Sequence, residues 1–288
     1  MDAILLDLWK DAADEAHFHI SQVAMIGATT AADVRSAHSV LSQILRRTSV
    51  VVLQSNYAEF RMTMSRGQAM AGADKHHLRA GLGDLGFAMT ARVLNCLTSM
   101  RMFLDHSERD LKHRDAVDGG TRFATWKATA SEEYDDYFGY RFISRFRNFV
   151  QHVDLPLSAL QFSSALDPDG SGVTGRVFLG EHASHLLMSW DGWGPLKNEL
   201  SALDGPIDIT EQFEVAMDCL TRIAAAFVEV LRPEIVTALA PIDELLSGHT
   251  FRGSPWLAET EEDANGTNPL GAMMPIRTEL VDRARTYI

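Results

Sequence analysis

The stretch RNFVQH at residues 147–152 places an arginine, an asparagine and a histidine within one and a half helical turns. Arginine stays charged and offers a planar fork of N–H donors that suits two phosphate oxygens. Histidine transfers protons near neutrality, because its unperturbed pKa is about 6.5. Arg147, Asn148 and His152 therefore read either as a small phosphate-handling site or as the solvated strip of a helix that packs elsewhere.

Helical geometry sharpens that choice. At about 100 degrees per residue, with Arg141 at zero, Arg145, Asn148 and His152 fall within roughly 40 degrees of it. Phe142, Ile143, Phe146, Phe149, Val150 and Val153 fill an arc from about 80 to 200 degrees, and Arg147 lies near 240 degrees. One face is core, and the other is a cationic, hydrogen-bonding strip. A solvated face usually draws Lys and Glu, yet between Gly139 and Val153 there are three Arg, one Asn, one His and no acid. On an earlier helix Asn95, Ser99, His106, Arg109 and His113 form a second narrow polar line, with Met102 among them.

Other constellations are weaker. His17-Phe18-His19 and His76-His77 each lack a carboxylate or third ligand at a defined spacing, so no metal is expected. Cys96 and Cys219 stand far apart without CxxC spacing and read as core residues. His185 beside Trp190 and Trp193 reads as packing, and Glu259, Glu261, Glu262 and Asp263 as a solvated loop. GxxxxGK[ST] and GxSxG are both missing, which counts against P-loop nucleotide hydrolysis and α/β-hydrolase chemistry, and no cofactor is expected.

The elements that must hold these residues are mostly helical. Helices are expected at Ala3–Val23 and Thr30–Arg47, followed by an ambiguous β-branched run over 48–53. A long helix runs from an Asp84 cap to about Arg114, with a break at the DGG of 118–120. A second runs from about Ser131 to Val153, its acids (Glu132, Glu133, Asp135, Asp136) early and its arginines late, an order that suits a helix dipole. A hairpin or strand pair is expected across 161–190. Asp208 and Glu211 form a capping arrangement that opens a helix to about Leu231, which Pro233 interrupts. An amphipathic stretch begins at Ile276. The divisions are an N-terminal helical region over 1–80, a helical bundle with a β insertion over 84–232, and a C-terminal extension over 233–288.

With 288 residues, 46% apolar and 23% charged, the chain has the composition of a globular protein rather than a disordered or fibrous one. Its net charge of -13 argues against broad coating of nucleic acid and leaves room for a local basic site. No apolar run is long enough to span a membrane, and Asp2 and Asp7 stand where a secretory leader would carry cations, so a cytoplasmic protein with no membrane partner is expected.

Arg147-Asn148-x3-His152 resembles the R-x4-6-H signature of HEPN domains, in the form where a polar Asn follows the Arg. NCLTSMRMFLDHSE at 95–108 is similar to the Asn-, Ser- and Asp-His-bearing helix of some larger HEPN-like proteins. The resemblance covers residues 84–232, about half the chain. It implies a mainly α fold, a HEPN-like bundle that dimerises and brings the motifs of two subunits together. It further implies a metal-independent endoribonuclease of a toxin-antitoxin or anti-phage system, with RNA as substrate, a second copy as partner and a cognate antitoxin protein. Arg147 and His152 would be the catalytic pair and Asn148 the orienting residue. Arg141, Arg145, Asn95, Ser99, His106 and Arg109 would contact substrate. Arg145, six residues before His152, also satisfies the spacing, so which arginine acts stays open. Some members of the family bind without cleaving, which makes a noncatalytic module for RNA, a nucleotide or a protein the alternative.

RNA carries its own nucleophile, the 2′-hydroxyl. Its cleavage needs a base for that proton, an acid for the leaving oxygen and positive charge for the phosphorane, and histidine and arginine supply all three.

Overall fold

The computed structural model describes residues 2–11, 14–72, 75–153, 160–166, 173–260 and 270–288. In chain order the elements are β1 (Ala3–Asp11), β2 (Asp14–Ile26), α1 (Ala28–Leu45), α2 (Thr48–Gly72), α3 (Lys75–Asp118), α4 (Arg122–Asp136) and α5 (Phe138–His152). They continue with β3 (Leu160–Leu166), β4 (Val173–His182), α6 (Ala183–Ser189), α7 (Leu196–Ser201), β5 (Pro206–Asp208) and α8 (Ile209–Val230). The last are α9 (Arg232–Ser247), β6 (Ser254–Thr260), β7 (Leu270–Pro275) and α10 (Thr278–Arg285). The fold is mainly α. Among the described residues no helix is long and apolar enough to cross a membrane.

Two compact units divide the chain: residues 49–227 form one, and residues 1–48 with 228–288 form the other. In the second, a four-stranded sheet has the order β2-β1-β6-β7, and β1 runs antiparallel to β6 with Leu5 opposite Leu257. The carboxylate of Asp7 is buried; it accepts the backbone N–H groups of Arg252 (2.7 Å) and Gly253 (3.0 Å), which satisfies donors at the entry to β6. Helix α1 packs with α9 and α10, burying Ala31, Val34, Ala37, His38, Leu41, Ile44 and Leu45 at helical spacing.

The helix expected over Ala3–Val23 is therefore corrected to the strands β1 and β2. Nothing local breaks a helix there. What makes a strand of Ala3–Asp11 is pairing on both edges, with the adjoining β2 along its length and with β6, some 250 residues later, over Ala3 to Leu8, which leaves Ala3 to Leu6 buried in succession. The β-branched run at 48–53 is the start of α2, where helical packing overrides β propensity.

The other unit holds the candidate site. Helix α3 begins at Lys75, ahead of the expected Asp84 cap, and stops at the expected glycines, where Gly119 takes φ 75°. The single helix expected from Ser131 to Val153 is corrected to α4 and α5, separated at Tyr137 by extended backbone (φ -113°, ψ 110°). This reverses the dipole reading, because Glu133, Asp135 and Asp136 sit in the last turn of α4, where carboxylates are disfavoured. Two arginines offset them. Arg222 of α8 binds Glu133, and Arg141 donates to the carbonyls of Tyr134 and Asp135.

Helix α5 buries Phe142, Ile143, Phe146, Phe149 and Val150, the arc expected of it apart from Val153, which is exposed. Each such side chain contributes about 1.5–3 kcal/mol on burial. Trp193 completes the stack, nearly parallel to Phe142 at 6.0 Å and 5.6 Å from Phe149, its indole N–H donating to the Leu186 carbonyl at 2.9 Å. Across the break, Gly139 lies so close to α8 that a Cβ there would meet Val215 at 2.7 Å. The expected strand pair forms as β3 and β4, with β5 added at the β4 edge, but it ends at His182, and Ala183–Ser189, expected within it, is the helix α6. Asp208 accepts the N–H groups of Thr210 and Glu211 at the start of α8, so it caps as expected.

Candidate functional site

The cationic strip of α5 is divided between two neighbours. Arg141 and Arg145 turn towards the segment around α7, whereas Arg147 and Asn148 turn towards α3. Arg141 is held on both sides: its Nε and Nη2 reach Glu199 of α7 at 3.2 and 2.7 Å, and its Nη1 meets the α4 carbonyls. It joins three helices and is fully engaged in doing so. Arg145 lies beside Gly194, whose φ of +58° marks the turn into α7, with Nη2 3.4 Å from where a Cβ would stand.

Arg147 and Asn148 line a cavity of about 320 Å³ together with Ser144 from α5 and Met100, Arg101 and Leu104 from α3. Arg147 Nη1 donates to Asn148 Oδ1 at 3.2 Å, while its Nε is buried without a hydrogen-bond partner. Burial, and then the charge of Arg101, lower its pKa from the usual guanidinium value, and Asp105 opposes that shift. A cation in this position favours an anionic partner. His152 follows Asn148 by one turn, exposed and outside the cavity wall.

The polar line on α3 is not the face that meets Arg147. Ser99 is buried, and its hydroxyl donates back to the Asn95 carbonyl at 2.7 Å within its own helix. The Asn95 carbonyl also accepts a bond from Asn56 at 3.4 Å. Asn95, His106 and Arg109 are exposed, on a line about 80–140 degrees around the helix from Arg101. The cavity therefore brings together Arg147 and Asn148 of the expected site residues, and not Asn95, Ser99, His106 or Arg109.

Sequence reasoning missed Arg101 and Ser144. A signal for Arg101 exists: it interrupts an apolar line, with Leu97 four residues before it and Leu104 three after. A cation at such a position must be near a helix interface.

Among the described residues no group of three or more His, Cys, Asp or Glu side chains could hold a metal ion. His19 stacks on Trp9 with ring centroids 5.6 Å apart; the side chains of His76 and His77 lie outside the described residues. His185, expected to pack beside the tryptophans, is half-exposed and meets Glu181 at 3.0 Å. Both cysteines are buried and free. Of the acids expected in a solvated loop, Glu259 sits on β6 and pairs with Arg35 at 3.3 Å, and Glu261, Glu262 and Asp263 lie outside the described residues. In comparisons with protein-family models, curated proteins and solved structures, the chain matches none.

Proposed function

We propose that the protein is a HEPN-like endoribonuclease that cleaves RNA without a metal, in a toxin-antitoxin or anti-phage setting. The observation that carries this reading is the position of Arg147. It is half-buried in a cavity wall beside Asn148, with no acidic partner at ion-pair distance among the described residues, and an exposed histidine lies just over one turn further along the same helix.

In this reading the guanidinium of Arg147 binds the non-bridging oxygens of the scissile phosphate and Asn148 orients it. An imidazole removes the 2′-hydroxyl proton, the 2′-oxygen attacks phosphorus, and the P–O5′ bond breaks. The products are a 2′,3′-cyclic phosphate and a 5′-hydroxyl, whose proton comes from the acid. Two copies of His152, one from each subunit of a dimer, divide the acid and base roles. Arg145, set against Gly194, is the less suited of the two arginines.

Incubation of the intact chain with RNA in EDTA tests this. Cleavage that persists without free metal, and falls by about 100-fold or more in Arg147→Ala and in His152→Ala, supports it. Undiminished cleavage by both variants overturns it. A second reading, a noncatalytic RNA- or nucleotide-binding module, is favoured by the place of His152 outside the cavity wall. It is supported if RNA binds and no product forms.

A further inference from the structure

On the proposed reading, every phosphate-handling residue comes from α5, yet the cavity has a second wall. We propose that Arg101 of α3 is a further phosphate-binding residue, which closes on a phosphate group opposite Arg147, and that Asp105 is an internal anion that holds Arg101 until that group arrives. The inference rests on the phosphate-binding half of the proposed function.

Two guanidinium-bearing side chains, a serine and an asparagine line the same cavity, and no carboxylate is among its lining residues. Met100 and Leu104 supply its apolar part. Two cations facing one small space repel each other unless an anion lies between them, and an arginine fork binds phosphate oxygens with paired, charge-assisted bonds. The volume of about 320 Å³ falls at the lower end of the roughly 300–1,000 Å³ range of ligand sites, which suits a single phosphate-bearing unit rather than a duplex.

Asp105 is one turn beyond Arg101 and grips it through two bonds, Nε to Oδ2 at 2.9 Å and Nη2 to Oδ1 at 2.7 Å. The two side chains are 53% and 47% exposed, so water screens their attraction and the pair opens easily. A phosphate in the cavity offers Arg101 the same planar arrangement of two acceptors in a less solvated place. Asp105 therefore acts as a competitor for the guanidinium.

Calorimetric titration of the full chain tests this with three probes: adenosine monophosphate for a terminal monoester, a dinucleoside monophosphate for an internal diester, and adenosine without phosphate. Binding is expected only with phosphate present, and the tighter of the first two probes identifies the source of the group. Arg101→Ala should weaken binding about tenfold, Arg101→Lys should weaken it less, and Asp105→Asn should strengthen it about threefold. The opposite signs are decisive, because both substitutions break the same ion pair and a purely structural pair would make them alike. Responses in the same direction, no response, or binding that ignores the phosphate overturn the inference. RNA cleavage that neither substitution alters also overturns it and leaves the ribonuclease reading standing. Phosphate-dependent binding with opposite responses, in a chain that never cleaves RNA, keeps the inference and ends the ribonuclease reading.

Discussion

Glu133 on α4 accepts two hydrogen bonds of 2.6 Å from Arg222 on α8, one to each carboxylate oxygen. The pair neutralises an acid at the disfavoured end of α4, just before the break that sets the direction of α5. The bonds from Arg222 hold the Glu133 carboxyl below the usual glutamate range, with burial as the opposing influence. A depressed folded-state value means that the contribution is complete above the unfolded value of about 4.3 and is lost as pH falls through the folded value. Glu133→Gln should therefore cost about 2 kcal/mol at neutral pH. Thermal unfolding followed from pH 7 down to pH 2 should show the gap between variant and parent closing below about pH 4, and a gap independent of pH would count against this account.

Arg141 and Arg147 occupy the same helix and should behave as opposites. Arg141→Ala removes bonds to Glu199 and to two α4 carbonyls, and should destabilise the protein by about 2 kcal/mol in urea unfolding. Arg147→Met removes a partly desolvated charge with an unpartnered Nε, and should leave stability unchanged or raise it by about 1 kcal/mol. If the protein is the proposed ribonuclease, RNA cleavage should be lost in Arg147→Met despite its sound fold. A large loss of stability in that variant would show that the arginine is structural.

His152 is exposed in the last turn of α5. Substitution by alanine should change stability by no more than about 0.5 kcal/mol. On the proposed ribonuclease function, the same variant should lose about 100-fold or more in RNA cleavage. Measuring both on one preparation separates chemistry from folding.

Gly139 has no room for a methyl group, because a Cβ would sit 2.7 Å from Val215 Cβ and 2.9 Å from Gln212 Oε1. Gly139→Ala should push the first turn of α5 from α8 and cost about 1–3 kcal/mol. The displacement is carried along the helix to Arg147 and Asn148, so on the proposed function RNA cleavage should fall as well. A variant as stable as the parent would mean that α8 yields at little cost.

The apolar arc of α5 was legible because one face of a helix is set by spacing, and Phe142, Phe146, Phe149 and Val150 repeat at intervals that no strand would bury together. The stop at Gly119 and the cap at Asp208 were legible for the same reason, since each depends on a few adjacent residues. The break at Tyr137 was not. The sequence from Ser131 to Val153 contains no proline and one glycine, Gly139, and the separation of α4 from α5 is matched by bonds to Arg222 and Glu199, far along the chain. Arg101 was passed over because its meaning depends on what stands across from it.

By itself the sequence determined which side chains share a helical face, where a cation or a histidine is presented on α5, and two helix boundaries, the stop at Gly119 and the cap at Asp208. Only tertiary structure decided that Arg141 is engaged with Glu199, that Arg147 shares a cavity with Arg101, and that Ala3–Asp11 is a strand beside β6. The reason is physical. Periodicity and capping arise from neighbours a few residues apart, whereas ion pairing, cavity walls and strand register are set by segments that meet only after the chain has folded.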